Sequence, residues 1–493
     1  MLATRASSNL SRYADWVALL VPLAVYIASL DSAVGFWDVG EMQTVPYILG
    51  IAHPTGFPAF VLLGWGFTHL IVIGSVAMRM ALMCAIAMSL TAWLIARIVT
   101  EQTESPWIGI GCAWLFAFGQ IAWTRGTRPE VHALAVFFVA LTLYCALRWC
   151  RTSDVRFFFG GALAWGLGIA THPVVVLLGL GLFVMVIARW ERLNLRMIGI
   201  AIAIFTMGVA LYAYLPIRSA QVSAAQLDPT RALGIAPGRP FWDYDHPSTL
   251  AGFEKLVSGS DFDVNGGLHS IFSPQVYFTK GPAYLSTLTA EFTLLGTALA
   301  LIGVVALFRR DSRLALALIL AGFLSVPFAL GYPPEADIQR YFLSSFVVCA
   351  VFIGIGANWL AVRARFALAN QAAVGLVAVI AVFLLFTNRG VFGQGRDVRA
   401  ERAIESVLRL TPKNAIVISP WIYATPLAYA AYVEHRLGDR TLDAAWLADD
   451  AALVPYWSRT RPVYVVGIVF GSVPGFVLKP LGGDPTIYAV VKQ

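Results

Sequence analysis

The sequence predicts a polytopic α-helical membrane protein with a small α/β domain after its last span. Three observations carry this expectation. Hydrophobic residues make up 58% of the 493 residues and charged residues only 13%, with a mean hydropathy of +0.72, so many segments must be solvated by lipid. Apolar runs of about 20 residues, the length that crosses ~30 Å of hydrocarbon at about 1.5 Å per residue, recur as far as residue 387. Beyond residue 389 the runs shorten and polar residues return.

In chain order the expected spans are 14–31, 75–98, 106–123, 131–148, 156–171, 173–189, 196–215, 283–307, 314–330, 341–361 and 366–387, eleven in all. The first follows Arg5 and Arg12 and is trailed by no small-residue cleavage motif, which favours a retained helix over a cleaved signal peptide. Residues 57–73 are apolar but short, carry His69 and several glycines, and are flanked by Pro54 and Pro58, so they are expected as a helix near the interface. With the N-terminus cytoplasmic, the inner turns collect Arg97, Arg148, Arg151, Arg156, Arg189, Arg192, Arg196, Arg309, Arg310, Arg313, Arg363 and Arg365, the bias that the positive-inside rule demands. Only Arg125, Arg128 and Arg340 occupy short outer loops, against that signal.

The expected domains are a transmembrane domain, 1–388, and an extracytoplasmic α/β domain, 389–493. The first has an outer loop at 32–74 and a large outer loop at 216–282, rich in Pro, Gly, Asp and Ser and longer than a structureless connection usually is. In the second, 398–410 reads as an amphipathic helix, and 415–419 and 463–467 as short buried strands.

A net charge of +7 does not point to nucleic acid, because the basic residues are scattered in ones to threes between apolar runs. Only five of the 35 basic residues are lysines, at 255, 280, 413, 479 and 492. The cysteines, Cys84, Cys112, Cys145, Cys150 and Cys349, lie in or beside apolar spans without metal-ligand spacing, so neither a disulfide framework nor a zinc site is expected.

This topology delivers polar residues from separate stretches to one outer face: Asp38, Glu41 and His53; Arg125, Arg128, Glu130 and His132; His172; Tyr214 and Arg218; and Glu335, Asp337, Arg340 and Tyr341. Ionisable side chains at a membrane face are costly, which makes each a functional candidate. Asp38 and Glu41 stand three residues apart, on one face of a helical turn. Paired carboxylates there suit a general base; the alternative is helix capping or pairing with outer arginines, and the adjacent His53-Pro-Thr-Gly-Phe-Pro58 run favours the functional reading. His53 and His172 each precede a proline, which biases them to extended backbone; each reads as a turn residue or as a substrate contact. The outer arginines are either snorkelling side chains or phosphate ligands, the second favoured for Arg128 and Arg340 over Arg125 and Arg218. Trp37, Trp123 and Trp242 could stack on sugar rings, though interfacial tryptophan is expected in any membrane protein.

Asp38-Val-Gly-Glu41 followed by Gly50-Ile-Ala-His-Pro-Thr-Gly-Phe-Pro58 resembles the signature of the protein O-mannosyltransferase-like family assigned to glycosyltransferase family 117, whose members have the GT-C fold. Glu130-Val-His-Ala-Leu134 resembles that family's Glu-Val-Tyr-Ala-Leu element, Gly168-Ile-Ala-Thr-His172 its Gly-Leu-x-x-x-His element, and Tyr214-Leu-Pro-Ile-Arg218 its Leu-Pro-Ile-Arg stretch. Asp337-Ile-Gln-Arg-Tyr341 is similar to an acidic and aromatic segment before a late span. The likeness covers residues 36 to about 345; the loop Trp242-Asp-Tyr-Asp-His-Pro departs from the family's Trp-Gly-Asp-Pro.

The resemblance implies an inverting GT-C glycosyltransferase that takes a sugar, mannose in family terms, from a polyprenyl-phosphate donor and delivers it to a hydroxyl acceptor on the outer face, a protein Ser or Thr or a glycan. On that reading Asp38 is the expected base, with Glu41 as second candidate, and His53, Arg128, Glu130, His172, Arg218, Arg340 and Tyr341 are the expected substrate-binding residues. No metal is expected, since arginines alone can hold a lipid phosphate, although Asp38, Glu41 and His53 are plausible ligands for a divalent ion. Arg-rich, lysine-poor usage suggests a bacterial inner membrane with the site on the periplasmic face. The competing classes are a transporter or flippase of a lipid-linked or anionic substrate, against which no repeat of two halves is evident, and a non-catalytic assembly protein.

Overall fold

The computed structural model describes residues 2–262, 264–332, 337–364 and 366–493. Glu335 and Arg365 lie outside the described residues. The chain divides into two compact units: Met1–Leu30, Cys84–Leu211 and Phe262–Phe392 form one, and Asp31–Met83, Tyr212–Asp261 and Gly393–Gln493 the other.

The fold is predominantly helical, with one small sheet near the C-terminus. Among the described residues, seven helices are long and apolar enough to cross a membrane: Val76–Thr103, Val131–Thr152, Leu195–Ala224, Pro274–Arg310, Ser312–Leu330, Ile338–Arg363 and Ala369–Gly393. One bent pair would make an eighth, and length and apolarity do not confirm the expected count of eleven among the described residues. The expected spans at 14–31, 156–171 and 173–189 correspond to the shorter apolar helices Tyr13–Ala28, Val155–Thr171 and Pro173–Ile187. Pro58–Leu70 is also apolar but has only 13 residues, about 20 Å of helix and short of the ~30 Å hydrocarbon core.

The expected span at 106–123 is broken. Pro106–Ala117 and Gln120–Thr127 meet at 72°. A buried carboxylate from a distant part of the chain makes this turn: Glu291 accepts the N–H groups of Ile121 (2.9 Å) and Ala122 (3.1 Å). These are among the first donors of the second helix, which have no intrahelical partner, and a carboxylate complements the positive end of the helix dipole. A Cβ on Gly119 would stand 2.3 Å from Glu291 Oε1, so only glycine admits this contact. The bend delivers Arg125 and Arg128 to the start of the next helix.

In the other unit, five strands form a sheet in the order β2-β1-β3-β5-β4, with β1 Ile416–Ser419, β2 Thr441–Ala444, β3 Val463–Val466, β4 Phe476–Gly482 and β5 Ile487–Lys492. β1 pairs in parallel with β2 and β3, while β5 pairs antiparallel with β3 and β4. All four residues of β1 are buried, as expected for a central strand covered on both faces. The helix Arg399–Leu410 coincides with the expected amphipathic segment. Part of the 216–282 loop belongs to this domain's core: Leu233 and Ile235 pack with Ile416, Ile418, Val463 and Val465, and Trp457 Nε1 donates to the Leu233 carbonyl (2.8 Å).

Arg239, from the same loop, donates to Asp450 Oδ2 (2.5 Å) and lies 3.8 Å from Asp443 Oδ1. Burial, reinforced by the Asp450 charge and opposed by Arg239, pushes the Asp443 carboxyl up to about 8. A raised folded-state value means that the contribution of this group to stability is full below its unfolded value of about 4 and is lost as pH rises through about 8. Asp443→Asn cannot ionise, so its unfolding midpoint should fall less than that of the wild type between about pH 4 and about pH 8. Parallel curves would show that Asp443 is already ionised in the folded protein.

Candidate functional site

The residues singled out in the sequence form two clusters, one in each unit. The first is built on the helix Asp38–Ile48, whose opening turn carries Asp38 and Glu41, and acidic residues are stabilised at that end of a helix. Glu41 is fully buried. Its Oε1 accepts the backbone N–H of His53 (2.7 Å), and its Oε2 shares a short hydrogen bond with His53 Nδ1. Burial pushes the Glu41 carboxyl up; the His53 contact pulls it down, and the neighbouring Asp38 charge pushes it up again. Asp38 is only partly buried, so of the two carboxylates it is the one that solvent and substrate reach.

The turn after His53 fixes that histidine. Gly56 N–H donates to the His53 carbonyl (2.8 Å) with Gly56 at φ 83°, a backbone that glycine adopts without steric cost. The His53 ring meets Phe57 edge-on at 5.0 Å and Trp421 at 6.3 Å. At the far end of the helix, Leu49 is left-handed, Gly50 N–H closes onto the Val45 carbonyl (2.9 Å), and Ile51 N–H donates to Phe241 (3.1 Å). A Cβ on Gly50 would lie 1.9 Å from the Phe241 oxygen, which accounts for the glycine in the motif.

Arg218, expected among the substrate-binding residues, directs its guanidinium to the carbonyls of Leu49 (2.5 Å) and Ile48 (3.3 Å). It satisfies the open carbonyls at a helix C-terminus, a favourable place for a cation, and Tyr214 Oη donates to Gly50 O beside it (2.9 Å). Asp38, Glu41 and His53 each offer one ligand atom, all within 4.8 Å of one another. That spacing and donor set fit a divalent ion, and the Glu41–His53 pairing also satisfies both groups without one.

The second cluster is built around Glu130, the N-cap of Val131–Thr152. Arg125 donates to Glu130 Oε2 (3.1 Å) and closely to Asp337 Oδ2; Arg128 donates to the same Asp337 oxygen (3.3 Å). His132 Nδ1 faces Glu130 Oε1 at 3.0 Å. Burial alone would push the Glu130 carboxyl up, but the His132 hydrogen bond and the Arg125 and Arg340 charges hold it well below the usual carboxylate range. His172 sits at the junction of Val155–Thr171 and Pro173–Leu178, where its Nδ1 accepts the Val174 N–H (3.1 Å). Tyr341 closes the group edge-on, 4.7 Å from His132 and 5.6 Å from His172, with the Arg340 guanidinium 5.8 Å from its ring.

Three guanidinium groups therefore surround two described carboxylates, leaving an excess of positive charge that suits a phosphate. Arg125 is buried between Glu130 and Asp337, whereas Arg128 is 27% exposed and better placed for an incoming anion. The sequence places Asp337 in the outer-face group without giving it a role there; its partners Arg125 and Arg128 are more than 200 residues away. Of the tryptophans, Trp123 is buried and donates to Ser29 Oγ (2.8 Å), a core role. Trp37 is 55% exposed next to Asp38.

Residues 38–195 match the family model described as the protein O-mannosyl-transferase TMEM260 N-terminal domain. The segment contains the Asp38–His53 cluster, Arg125 through His132, and His172. Over that segment the chain is similar to protein O-mannosyl-transferases, and its fold is of the GT-C type. It is 24% identical over 420 residues to the mouse protein O-mannosyl-transferase TMEM260, covering 80% of this chain and 57% of that one. It is 25% identical over 302 residues to the Dictyostelium discoideum protein of the same name, covering 57% of this chain and 34% of that one. This chain thus spans little more than half of the first relative and a third of the second. The crystal structure of ArnT from Cupriavidus metallidurans in the apo state aligns over 96% of both chains with a TM-score of 0.59 at 12% identity. ArnT bound to undecaprenyl phosphate aligns equally well, and the likeness covers the helical fold together with the C-terminal sheet domain.

Proposed function

We propose that this GT-C protein is an inverting membrane glycosyltransferase that moves a sugar, mannose by its relatives' names, from a polyprenyl-phosphate donor to a hydroxyl acceptor on the outer face, a protein Ser or Thr. The observation that carries this reading is the paired carboxylates of the first turn. Glu41 is locked onto His53, and Asp38 beside it is partly exposed. The acceptor oxygen attacks the anomeric carbon, the bond to the phosphate oxygen breaks, and the phosphate leaves with the electron pair. Asp38 takes the hydroxyl proton, Glu41 and His53 set the turn that presents it, and Arg128 and Arg340 hold the charge on the departing phosphate. Glu130, His172 and Tyr341 shape the arginine cluster, and Arg218 fixes the end of the helix that bears Asp38.

The names of the relatives support the transfer chemistry, and the undecaprenyl phosphate bound by ArnT supports a lipid-phosphate donor. The arginine-rich, lysine-poor composition supports a bacterial inner membrane with the reaction on its periplasmic side. No metal takes part in the proposed step, so excess EDTA should leave the transfer rate unchanged. Loss of activity on chelation, restored by a divalent ion, would instead assign Asp38, Glu41 and His53 to a metal.

The deciding experiment supplies purified protein with radiolabelled polyprenyl-phosphate mannose and a membrane-protein acceptor extract. Label should appear on acceptor protein. Movement of intact donor across reconstituted vesicles without covalent transfer would assign the chain to the transporters.

A further inference from the structure

Resting on the glycosyl-transfer reading, we propose that His132 Nε2 accepts a hydrogen bond from a hydroxyl of the donor's sugar, making His132 a specificity-determining residue that tells a glycosylated lipid phosphate from a bare one. His132 is buried, and its Nε2 has no hydrogen-bond partner among the described residues, an exception among buried polar atoms that calls for an explanation. The other ring nitrogen fixes the chemistry. Nδ1 lies 3.0 Å from Glu130 Oε1, and Glu130 also takes an Arg125 donor at 3.1 Å. A carboxylate so engaged is an acceptor, so Nδ1 carries the proton and donates.

In this tautomer Nε2 presents a lone pair. An ionised phosphate oxygen has only lone pairs to offer and is repelled; a neutral hydroxyl is the group that fits. The surroundings select the hydroxyl of a sugar held by its phosphate. His172 lies 4.4 Å from the His132 ring and Tyr341 lies edge-on at 4.7 Å, so two aromatic rings flank the histidine. Arg125 is hydrogen-bonded to the same carboxylate as His132, and the Arg340 guanidinium stands 5.8 Å from the ring of Tyr341, which meets His132 edge-on. An anion bound to the arginines would bring an attached sugar to the nitrogen, whereas a free phosphate would not engage it. His172 cannot take the same part, because its Nδ1 already accepts the Val174 N–H and its proton therefore resides on Nε2.

Competition binding to purified full-length protein in detergent, with polyprenyl phosphate and its mannosyl ester as the two probes, reads this directly. Wild type should prefer the mannosyl ester by about tenfold, the equivalent of one well-formed hydrogen bond. His132→Phe should reduce the preference to about unity through loss of affinity for the mannosyl ester, with bare polyprenyl phosphate still bound, which also reports an intact fold. His132→Gln, whose side-chain carbonyl can accept, should restore part of the preference.

Equal weakening of both probes in His132→Phe would mean a phosphate or purely structural contact and would overturn the proposal, as would an unchanged preference or a wild type that shows none. The two readings separate cleanly. A His132-dependent preference in a protein that transfers no sugar would remove the transferase reading and leave the recognition, whereas sugar transfer with a preference indifferent to His132 would remove only the recognition.

Discussion

Asp38→Asn should lower the transfer rate by about 10²–10⁴-fold, the usual contribution of a general base, with donor binding retained. The substitution keeps the shape of the side chain and its place in the first turn of Asp38–Ile48 but removes the ability to accept a proton. Glu41→Gln should behave differently. The Glu41 oxygens are both committed to His53, one to the backbone N–H at 2.7 Å and one to the ring, and no surface of this carboxyl is exposed. Gln keeps an acceptor for the backbone N–H but turns an amide toward the ring, so the loss should appear first in stability, by about 1–3 kcal/mol, and in rate only through displacement of the turn. Transfer rates and unfolding midpoints of the two variants, compared side by side, test the assignment. A Glu41→Gln protein of normal stability whose rate falls further than that of Asp38→Asn would move the base to Glu41.

The segment that carries this prediction was legible in the sequence because its chemistry is local. Two carboxylates three residues apart need only one helical turn to share a face, and Pro54, Gly56 and Pro58 announce the turn that returns the chain. The long apolar spans were legible for the same reason. What the sequence concealed depends on partners far away along the chain. The bend between Pro106–Ala117 and Gln120–Thr127 is made by Glu291, 170 residues from Ile121, and the run 106–123 by itself is apolar enough to pass as one helix. Arg218 reads from the sequence as a snorkelling side chain or a phosphate ligand, and nothing near it in the chain announces Leu49 and Ile48 as its hydrogen-bond partners. β2 reads Thr-Leu-Asp-Ala, with an acidic residue at a fully buried position; its strand character comes from pairing in parallel with β1, not from its own pattern. β4 includes Lys479 and Pro480 and is mostly exposed, consistent with an edge strand.

The largest effect on stability should come from Arg125→Met. Arg125 is 5% exposed and bridges Glu130, itself 7% exposed, to Asp337. Removing the guanidinium leaves a buried carboxylate that its remaining neighbours compensate only in part: Arg128 stands 3.9 Å from the same Glu130 oxygen, beyond hydrogen-bond range. Breaking one side of a buried ion pair costs about 3–5 kcal/mol, most of it the penalty of the charge left behind. That origin makes the prediction specific. Adding Glu130→Gln to Arg125→Met should recover part of the stability, since the stranded charge disappears, even though the double variant has one ionic contact fewer than the single. Denaturant unfolding in detergent of the wild type, both single variants and the double variant gives the coupling directly. Losses that simply add would show that Glu130 does not depend on Arg125. Arg128 and Arg340 would then be the cations that keep the Glu130 carboxyl ionised, and they would be correspondingly less able to serve as ligands for an incoming phosphate.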